Sequence, residues 1–311
     1  MNDYEQELRD KWNKIDYQQG GSLELGIKHP LEWHVGYFSP EVKSIVIVSD
    51  TPVSKIDSSR SIQASCKPRK DGKYATSLTL KSHEQEDVFV TMCGDIIRFS
   101  SIEDNQTHSL SKVVKRYSAW LKLLQHGNSA ILSLIAQKGL IGELLYLKER
   151  LESGLSPTDA LDGWIGPDGA DQDFVYADGW HEIKTTGIAS SEVTISSIEQ
   201  LDNNCPGELI VMRVDKCAPA QSGAFTLYKL VHQIIKMLDS CVGAIDDFVL
   251  RLANVGYIDM PEYDQQMFVF SSKNTYKVNQ TFPRLVRSKV PIEIVNLSYT
   301  LSLPTLATWM V

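Results

Sequence analysis

The sequence lacks features of several protein classes. Its 311 residues contain no run of about 18 apolar residues, the least that a membrane-spanning helix needs. The first residues, MNDYEQELRDKWNK, are charged and have no apolar centre like that of a secretory signal. The five cysteines are scattered and form no CxxC pair or Cys/His group, so neither a zinc site nor a disulfide framework is predicted. These absences favour a cytoplasmic protein without a membrane anchor.

Motifs for nucleotide chemistry are also absent. No GxxxxGK[ST] loop occurs, so any ATP-driven step would have to come from another chain. The net charge of -8 argues against a dense coat of nucleic acid, although it leaves room for a local basic face. Carboxylates that face phosphates repel them, so chemistry on nucleic acid would have to be assisted by a metal ion.

Hydrophobic patterning predicts a β-rich N-terminal domain over residues 1–108. Runs with strand-like composition, separated by turn signals such as KDGK, occupy residues 31–103. These runs are EWHVGYF, KSIVIVSD, YATSLTLKS, EDVFVTMCG and DIIRFSS. We therefore expect strands throughout this stretch, up to about residue 103.

From residue 110 onward, the spacing of apolar residues changes to that of helices. Residues 110–127 place apolar side chains at helical spacing, and residues 129–154 predict a second helix, or two helices broken near Gly139–Gly142. An α/β block follows at 171–214, so residues 109–215 are expected to form the core domain. Residues 216–311 mix helices and strands and would complete or flank that core. The predicted fold class is α/β (α+β).

The segment GPDGADQDFVYADGWHEIKTTG, residues 166–187, crowds carboxylates around apolar positions. Asp178-Gly179 between two alternating runs is a strong signal for a two-residue hairpin loop. That loop would place Phe174 opposite Ile183 and Asp173 opposite Lys184. Because residues opposite one another, or two apart on a strand, share a face, Asp173, Glu182 and Lys184 should project from one side.

Two readings of that face remain open from geometry. Two carboxylates with a backbone carbonyl between them suit Mg²⁺, and a lysine beside them can orient water or offset charge. The parts match what hydrolysis of a phosphodiester requires. An exposed sheet face with Asp, Glu and Lys is also common, and a cross-strand Asp–Lys pair stabilises a sheet by only about a few tenths of a kcal/mol.

The sequence resembles the PD-(D/E)XK nucleases in Pro167-Asp168, Asp173-Phe174 and Glu182-Ile183-Lys184. More closely, KGLIGELLYLKERL, GWIGPDGADQDF, GWHEIKTT and SSIEQLD look like the bacterial "PD-(D/E)XK motif protein" family, often associated with restriction or phage-defence genes. The resemblance implies a restriction-endonuclease-like core and is most specific over roughly residues 130–215.

The resemblance also implies roles for single residues. Glu182 matches the metal ligand of the motif, Lys184 matches its catalytic lysine, and Ile183 would lend its carbonyl to the metal. For the first Asp of the motif there are two candidates. Asp168 follows Pro167, as the motif's Pro-Asp pair requires, whereas Asp173 has the predicted position opposite Lys184 on the hairpin. We predict Asp173, because Asp168 lies in a glycine-rich loop where Asp is a usual turn residue.

Two further residues follow from the same resemblance. Glu143 lies in the preceding predicted helix among apolar neighbours, and many superfamily members supply an extra acidic ligand from that helix. Gln200 in SSIEQLD matches a polar position after the lysine, on a helix that Ser196 or Ser197 could cap. Ordinary solvated helix residues are the alternative reading for both.

The implied function is that of a Mg²⁺-dependent DNA endonuclease, with Mn²⁺ able to substitute. It would be the cleavage subunit of a restriction or anti-phage system, with DNA and other subunits, an ATPase/helicase or a methyltransferase, as partners. A homodimer is possible, since duplex cutting often uses two sites. The alternatives are a catalytically silent module that binds DNA or a partner, and a nuclease for repair or RNA processing.

Overall fold

The structure is a computed structural model that describes residues 3–16, 18, 21–39, 41–53, 55–81, 85–101, 105–125, 131–241 and 243–311. The chain divides into two compact units, residues 1–130 and 131–311. The division into three domains expected from the sequence, with boundaries after residues 108 and 215, stays a prediction. The mixed α/β fold class is confirmed.

The first unit is built on an antiparallel sheet with strand order β1-β2-β3-β5-β4. Its strands are β1 (Ser22–Glu24), β2 (Glu32–Ser39), β3 (Val42–Ser49), β4 (Ile62–Pro68) and β5 (Tyr74–Leu80). Its helices are α1 (Asp3–Asn13), α2 (Glu86–Ser100) and α3 (Gln106–Gln125). The three strands predicted at EWHVGYF, KSIVIVSD and YATSLTLKS are confirmed as β2, β3 and β5, whereas β1 and β4 were not predicted. The helix predicted over residues 110–127 is confirmed as α3, and its last two residues lie outside the described ranges.

The two strands predicted over EDVFVTMCG and DIIRFSS, residues 86–101, are wrong, because Glu86–Ser100 forms α2. Its β-branched and aromatic residues suggest strands, but Phe89, Cys93, Ile96 and Ile97 are buried at spacings of three and four. Buried residues on most sides of the helix blurred the periodicity. The acidic residue inside it, Asp95, is paired with a helical neighbour: Arg116 Nε donates to Asp95 Oδ2 at 2.6 Å.

The second unit contains a mixed sheet with strand order β10-β11-β9-β7-β6, and a two-stranded sheet of β8 and β12. The strands are β6 (Phe174–Tyr176), β7 (Gly179–Thr186), β8 (Glu192–Ile195), β9 (Gly207–Lys216), β10 (Ala224–Thr226), β11 (Met267–Val278) and β12 (Tyr299–Ser302). Strands β7 and β9 run parallel, and the other pairs of these two sheets are antiparallel.

The helices of this unit are α4 (Leu134–Glu152), α5 (Pro157–Asp162), α6 (Leu227–Leu238) and α7 (Ala244–Asn254). Helix α4 is continuous, so the prediction of one helix is confirmed and its alternative, two helices broken near Gly139–Gly142, is wrong. Gly142 instead allows α4 to lie against β7, because a Cβ there would be 2.0 Å from Thr185 Oγ1. None of the helices in the described ranges is long and apolar enough to cross a membrane.

Candidate active site

The β6–β7 hairpin presents the acidic segment. Phe174 pairs with His181 and Tyr176 pairs with Gly179, so the turn consists of Ala177 and Asp178. The predicted pairing of Phe174 with Ile183 is therefore wrong by two residues. Gly179, with a φ of 135°, belongs to the strand instead of the loop. Because side chains alternate with period two, a slip of two leaves every side chain on its expected face.

Asp173 lies directly before β6 and is fixed through both its side chain and its backbone. Its Oδ2 accepts from the Ile183 amide at 2.8 Å. Its carbonyl accepts from the amides of Ile165 and Gly166, both at 3.0 Å. In a strand, the N–H and C=O of one residue point to the same neighbour, so the carbonyl of Ile183 also faces the side of Asp173.

Glu182 and Lys184 form an ion pair on the other face of β7 from Ile183. Lys184 Nζ donates to Glu182 Oε1 at 2.6 Å, with 15% of the lysine side chain exposed and none of the glutamate. The second oxygen, Glu182 Oε2, is buried and has no hydrogen-bond partner in the described part of the chain. An unpaired buried carboxylate oxygen is costly, so it calls for a ligand at this point.

Glu143 reaches the same region from α4, as predicted for an acidic residue of the preceding helix. The residue is half-buried, and its Oε2 accepts from Trp164 Nε1 at 2.8 Å. This role of Trp164 was not predicted from the sequence; the residue also belongs to the core and has no exposed surface. Arg251 was missed as well: its Nη1 donates to the Trp164 carbonyl at 2.6 Å.

The four ionisable groups act on one another electrostatically. Burial raises the pKa of Glu182 to about 8, with the charge of Asp173 adding to the rise and Lys184 opposing it. Burial and then the charge of Asp173 raise the pKa of Glu143 well above its usual value. Burial also raises the pKa of Asp173, against Lys184 and the Ile183 amide. Three carboxyl groups thus share one ammonium, and their raised pKa values favour protonation unless a further cation balances their charge.

The donors present fit a hard divalent cation. Mg²⁺ commonly takes one or two carboxylates with other oxygens and keeps several waters. Glu182 Oε2, the carboxylate of Asp173 and the carbonyl of Ile183 supply such a set, with Glu143 nearby. Across the described ranges, no group of three or more His, Cys, Asp or Glu side chains stands in metal-ligating geometry.

The alternative first Asp lies elsewhere. Asp168 is in the 3₁₀ turn Gly166–Asp168, and its half-exposed carboxylate accepts from Arg251 Nη1 at 2.8 Å. It therefore ties the loop to α7, whereas Asp173 contacts Ile183 of the Glu-Ile-Lys motif.

Gln200 does not lie on a helix, so the helix predicted over SSIEQLD is wrong. The segment forms turns, in which Gln200 Oε1 accepts from the Ser196 amide at 2.8 Å. No described hydrogen bond of Gln200 reaches Asp173, Glu182 or Lys184, and a catalytic role for Gln200 stays a prediction.

Comparison with known proteins gives one match. The model of a family described as "Putative PD-(D/E)XK family member, (DUF4420)" matches residues 8–304. Searches of curated proteins and of solved structures found no match.

Proposed function

Because the chain belongs to this PD-(D/E)XK family, DUF4420, we propose that it is a metal-dependent nuclease that hydrolyses phosphodiester bonds in DNA. The observation that supports this most is the unpaired, buried oxygen of Glu182 beside Lys184. It is an oxygen donor held without a protein partner, next to a cation, among carboxyl groups whose charges are not balanced.

The residues would divide the work as follows. Glu182, Asp173 and the Ile183 carbonyl would hold Mg²⁺, or Mn²⁺ in its place, with Glu143 assisting. The bound ion would supply Lewis-acid polarisation of a phosphoryl oxygen. Trp164 orients Glu143, and the Ile183 amide orients Asp173, so neither carboxylate has to reorganise when a ligand arrives.

Lys184 would stabilise the charge that develops during hydrolysis. The reaction forms a bond between phosphorus and a water oxygen and breaks one phosphorus–ester bond, while negative charge builds on the phosphoryl oxygens. The ammonium of Lys184 is held by Glu182 Oε1 at 2.6 Å and is mostly shielded from solvent, where its attraction for that charge is stronger than in bulk water.

The choice of DNA, and a role as cleavage subunit of a restriction or anti-phage system, are supported by the family resemblance. Such a system would add an ATPase/helicase or methyltransferase subunit, since the chain has no nucleotide-binding loop of its own. A homodimer would place two sites on the two strands of a duplex.

The test is cleavage of plasmid and linear DNA by the purified protein with Mg²⁺ or Mn²⁺. We expect nicking or cutting that Asp173→Asn and Lys184→Met each abolish, because each removes a charge at the site. Asp162→Asn is the matched control: it removes one carboxylate charge from an exposed position on α5 and should leave cleavage intact.

Wild-type protein that stays inactive on DNA, alone and with the products of neighbouring genes, would contradict the proposal. Calorimetric titration with Mg²⁺ and Mn²⁺ then separates the alternatives. Cation binding without DNA cleavage would redirect the search to RNA. Absence of cation binding would indicate a silent binding module.

A further inference from the structure

The 164–168 segment, which follows α5, contacts one acid of the candidate site through a side chain. Trp164 Nε1 donates to Glu143 Oε2 at 2.8 Å. The indole has no exposed surface and packs against Phe174 and Phe248, with ring centroids 6.3 and 5.9 Å away. Because a closely packed indole cannot turn freely, the position of its N–H group follows the position of the backbone of this segment.

The same segment contacts a second acid through its backbone. The amides of Ile165 and Gly166 donate to the Asp173 carbonyl, both at 3.0 Å. A Cβ at Gly166 would lie 3.1 Å from Asp173 Oδ1, so the segment also lies close to the carboxylate itself. A shift of the segment would therefore displace Glu143 and Asp173 together.

Arg251 of α7 holds this segment at two points. Its Nη1 donates to the Trp164 carbonyl at 2.6 Å and to Asp168 Oδ2 at 2.8 Å. Its Nε donates to Asp247 Oδ2, one turn earlier on α7, at 3.0 Å. Only 12% of the arginine side chain is exposed. Hydrogen bonds from a charged donor are stronger than neutral ones, and partial burial limits their screening by salt.

We propose that Arg251 is a positioning residue of the candidate active site, which keeps Glu143 and Asp173 in place for the cation by fixing the 164–168 segment. Asp168 then serves the site as a partner of this arginine and does not bind the cation. Groups that orient metal-binding carboxylates from outside the ligand set commonly determine metal affinity. The inference rests on the proposed function, since it concerns the same cation site.

The test of Arg251 is Arg251→Lys, which keeps the charge but loses the guanidinium that makes three contacts at once. The dissociation constant for Mn²⁺, measured by calorimetry, should rise about tenfold, the lower end of the effect of removing a group that orients metal ligands. Cleavage should recover at high Mn²⁺ concentration, because the catalytic groups are unchanged. A variant that was merely less stable would have a lower melting temperature without metal but the same Mn²⁺ concentration at half-maximal rate.

Asp168→Ala and Asp247→Ala are a matched pair. Each removes one carboxylate from the same guanidinium, and 52% and 40% of the two side chains are exposed. Asp168→Ala frees one contact of the 164–168 segment and should weaken Mn²⁺ binding, whereas Asp247→Ala changes only the ion pair within α7 and should leave it unchanged. Because both side chains are exposed by about half, both variants should fold, and they decide the question if Arg251→Lys does not fold.

Each other outcome overturns a distinct claim. Unchanged Mn²⁺ affinity in folded Arg251→Lys would overturn the role of this arginine and leave the nuclease proposal standing. Equal losses of affinity in Asp168→Ala and Asp247→Ala would show that Arg251 only stabilises α7, which also overturns the role. Complete loss of Mn²⁺ binding in Asp168→Ala would make Asp168 a ligand instead of a partner of Arg251. If wild type binds neither Mn²⁺ nor Mg²⁺, the proposed function fails, and the role of Arg251 fails with it.

Discussion

Glu182 has no exposed surface, yet its Oε2 has no hydrogen-bond partner within the described ranges, while its Oε1 accepts from Lys184. The nearby carboxylate of Asp173 adds repulsion, and the pKa of Glu182 is raised to about 8. Burial and the charge of Asp173 thus both disfavour the ionised form of Glu182. Such conflicts between burial and charge concentrate at functional sites, where a ligand resolves them.

Glu182→Gln should stabilise the metal-free protein and abolish its response to cations. The amide keeps the shape of the side chain, removes the charge and can donate to a carboxylate. At pH 8 without metal, we expect the melting temperature to rise by a few degrees. Addition of Mg²⁺ should raise the melting temperature of wild type but not of the variant. Equal responses to Mg²⁺ would remove Glu182 from the cation site.

His29 supplies a second residue-scale prediction, in the first unit. Its Nδ1 accepts from the Leu31 amide at 2.9 Å and from Trp33 Nε1 at 3.1 Å. Its Nε2 lies 3.0 Å from Ser100 Oγ, which donates to the Ile96 carbonyl and therefore accepts from the imidazole. A second proton would have to sit on Nδ1, between two donors. Burial lowers the pKa of His29 to about 4.

A histidine with a lowered pKa binds its proton more readily in the unfolded chain. The stabilisation is therefore complete above about pH 6.5 and is lost as the pH falls toward about 4. With the ring partly exposed, we expect a loss of about 1–2 kcal/mol. Urea unfolding at pH 7 and pH 4.5 measures it, and His29→Gln should reduce the difference. A variant with the wild-type pH dependence would contradict this assignment.

Local patterns in the sequence predicted most of the site residues but few of their partners. Alternation along β7 placed Glu182 and Lys184 on one face, and the even slip of the hairpin kept Asp173 with them. Trp164 and Arg251 were missed because each contacts the site region across a long stretch of chain. No local periodicity encodes such contacts.

At the scale of elements, the contact of α4 with β7 sets the position of Glu143. Gly142 precedes Glu143 and lies where a Cβ would be 2.0 Å from Thr185 Oγ1. Real atoms do not approach so closely, so a larger residue at position 142 forces either the Thr185 side chain or the helix itself to move. Gly142 therefore determines how near α4 can bring its carboxylate to the motif on β7.

Gly142→Ala should cost about 1–3 kcal/mol of unfolding free energy, as overpacking does. It should also lower cleavage about a hundredfold, because a shift of about 1 Å misplaces Glu143. Gly139→Ala, one turn earlier in α4 with nothing near its added Cβ, should be neutral or stabilising. Thr185→Ala should partly rescue Gly142→Ala, and its failure to do so would place the strain elsewhere.

Elements were predictable where one period dominated. Strands β2, β3 and β5 and helix α3 lie where the spacing of apolar residues predicted them. Helix α2 is buried on most of its sides, so its apolar residues lack a clear helical spacing and its sequence resembles that of strands. The prediction of a helix around Gln200 was wrong for a different reason. The Gln200 side chain there accepts from the Ser196 amide within a turn, whereas the local composition favoured a helix.

At the scale of the whole molecule, charge opposes the proposed substrate. The chain carries a net charge of -8, and the candidate site adds three carboxyl groups where a phosphate would lie. Association with DNA must overcome this repulsion. A divalent cation at the site would remove part of it and bridge to the phosphate.

DNA binding should therefore require a divalent cation. With Ca²⁺, used to allow binding with little cleavage, we expect a mobility shift of a duplex that is lost in EDTA and weakens as salt increases. Lys184→Met should weaken the shift, and Asp162→Asn should not. Equal shifts in EDTA and in Ca²⁺ would show that binding is independent of the candidate site.

The strand order of the mixed sheet determines when the sheet can fold during synthesis of the chain. Strand β7, with Glu182 and Lys184, lies between β6 and β9, and β9 gains its other partner only when β11 has been made. Strand β8, next along the chain, pairs with β12 near the end of the sequence. A nascent chain on the ribosome thus exposes the motif long before the sheet behind it can close. The candidate site on β7 therefore depends, for its supporting sheet, on strands that follow it by a long stretch of chain.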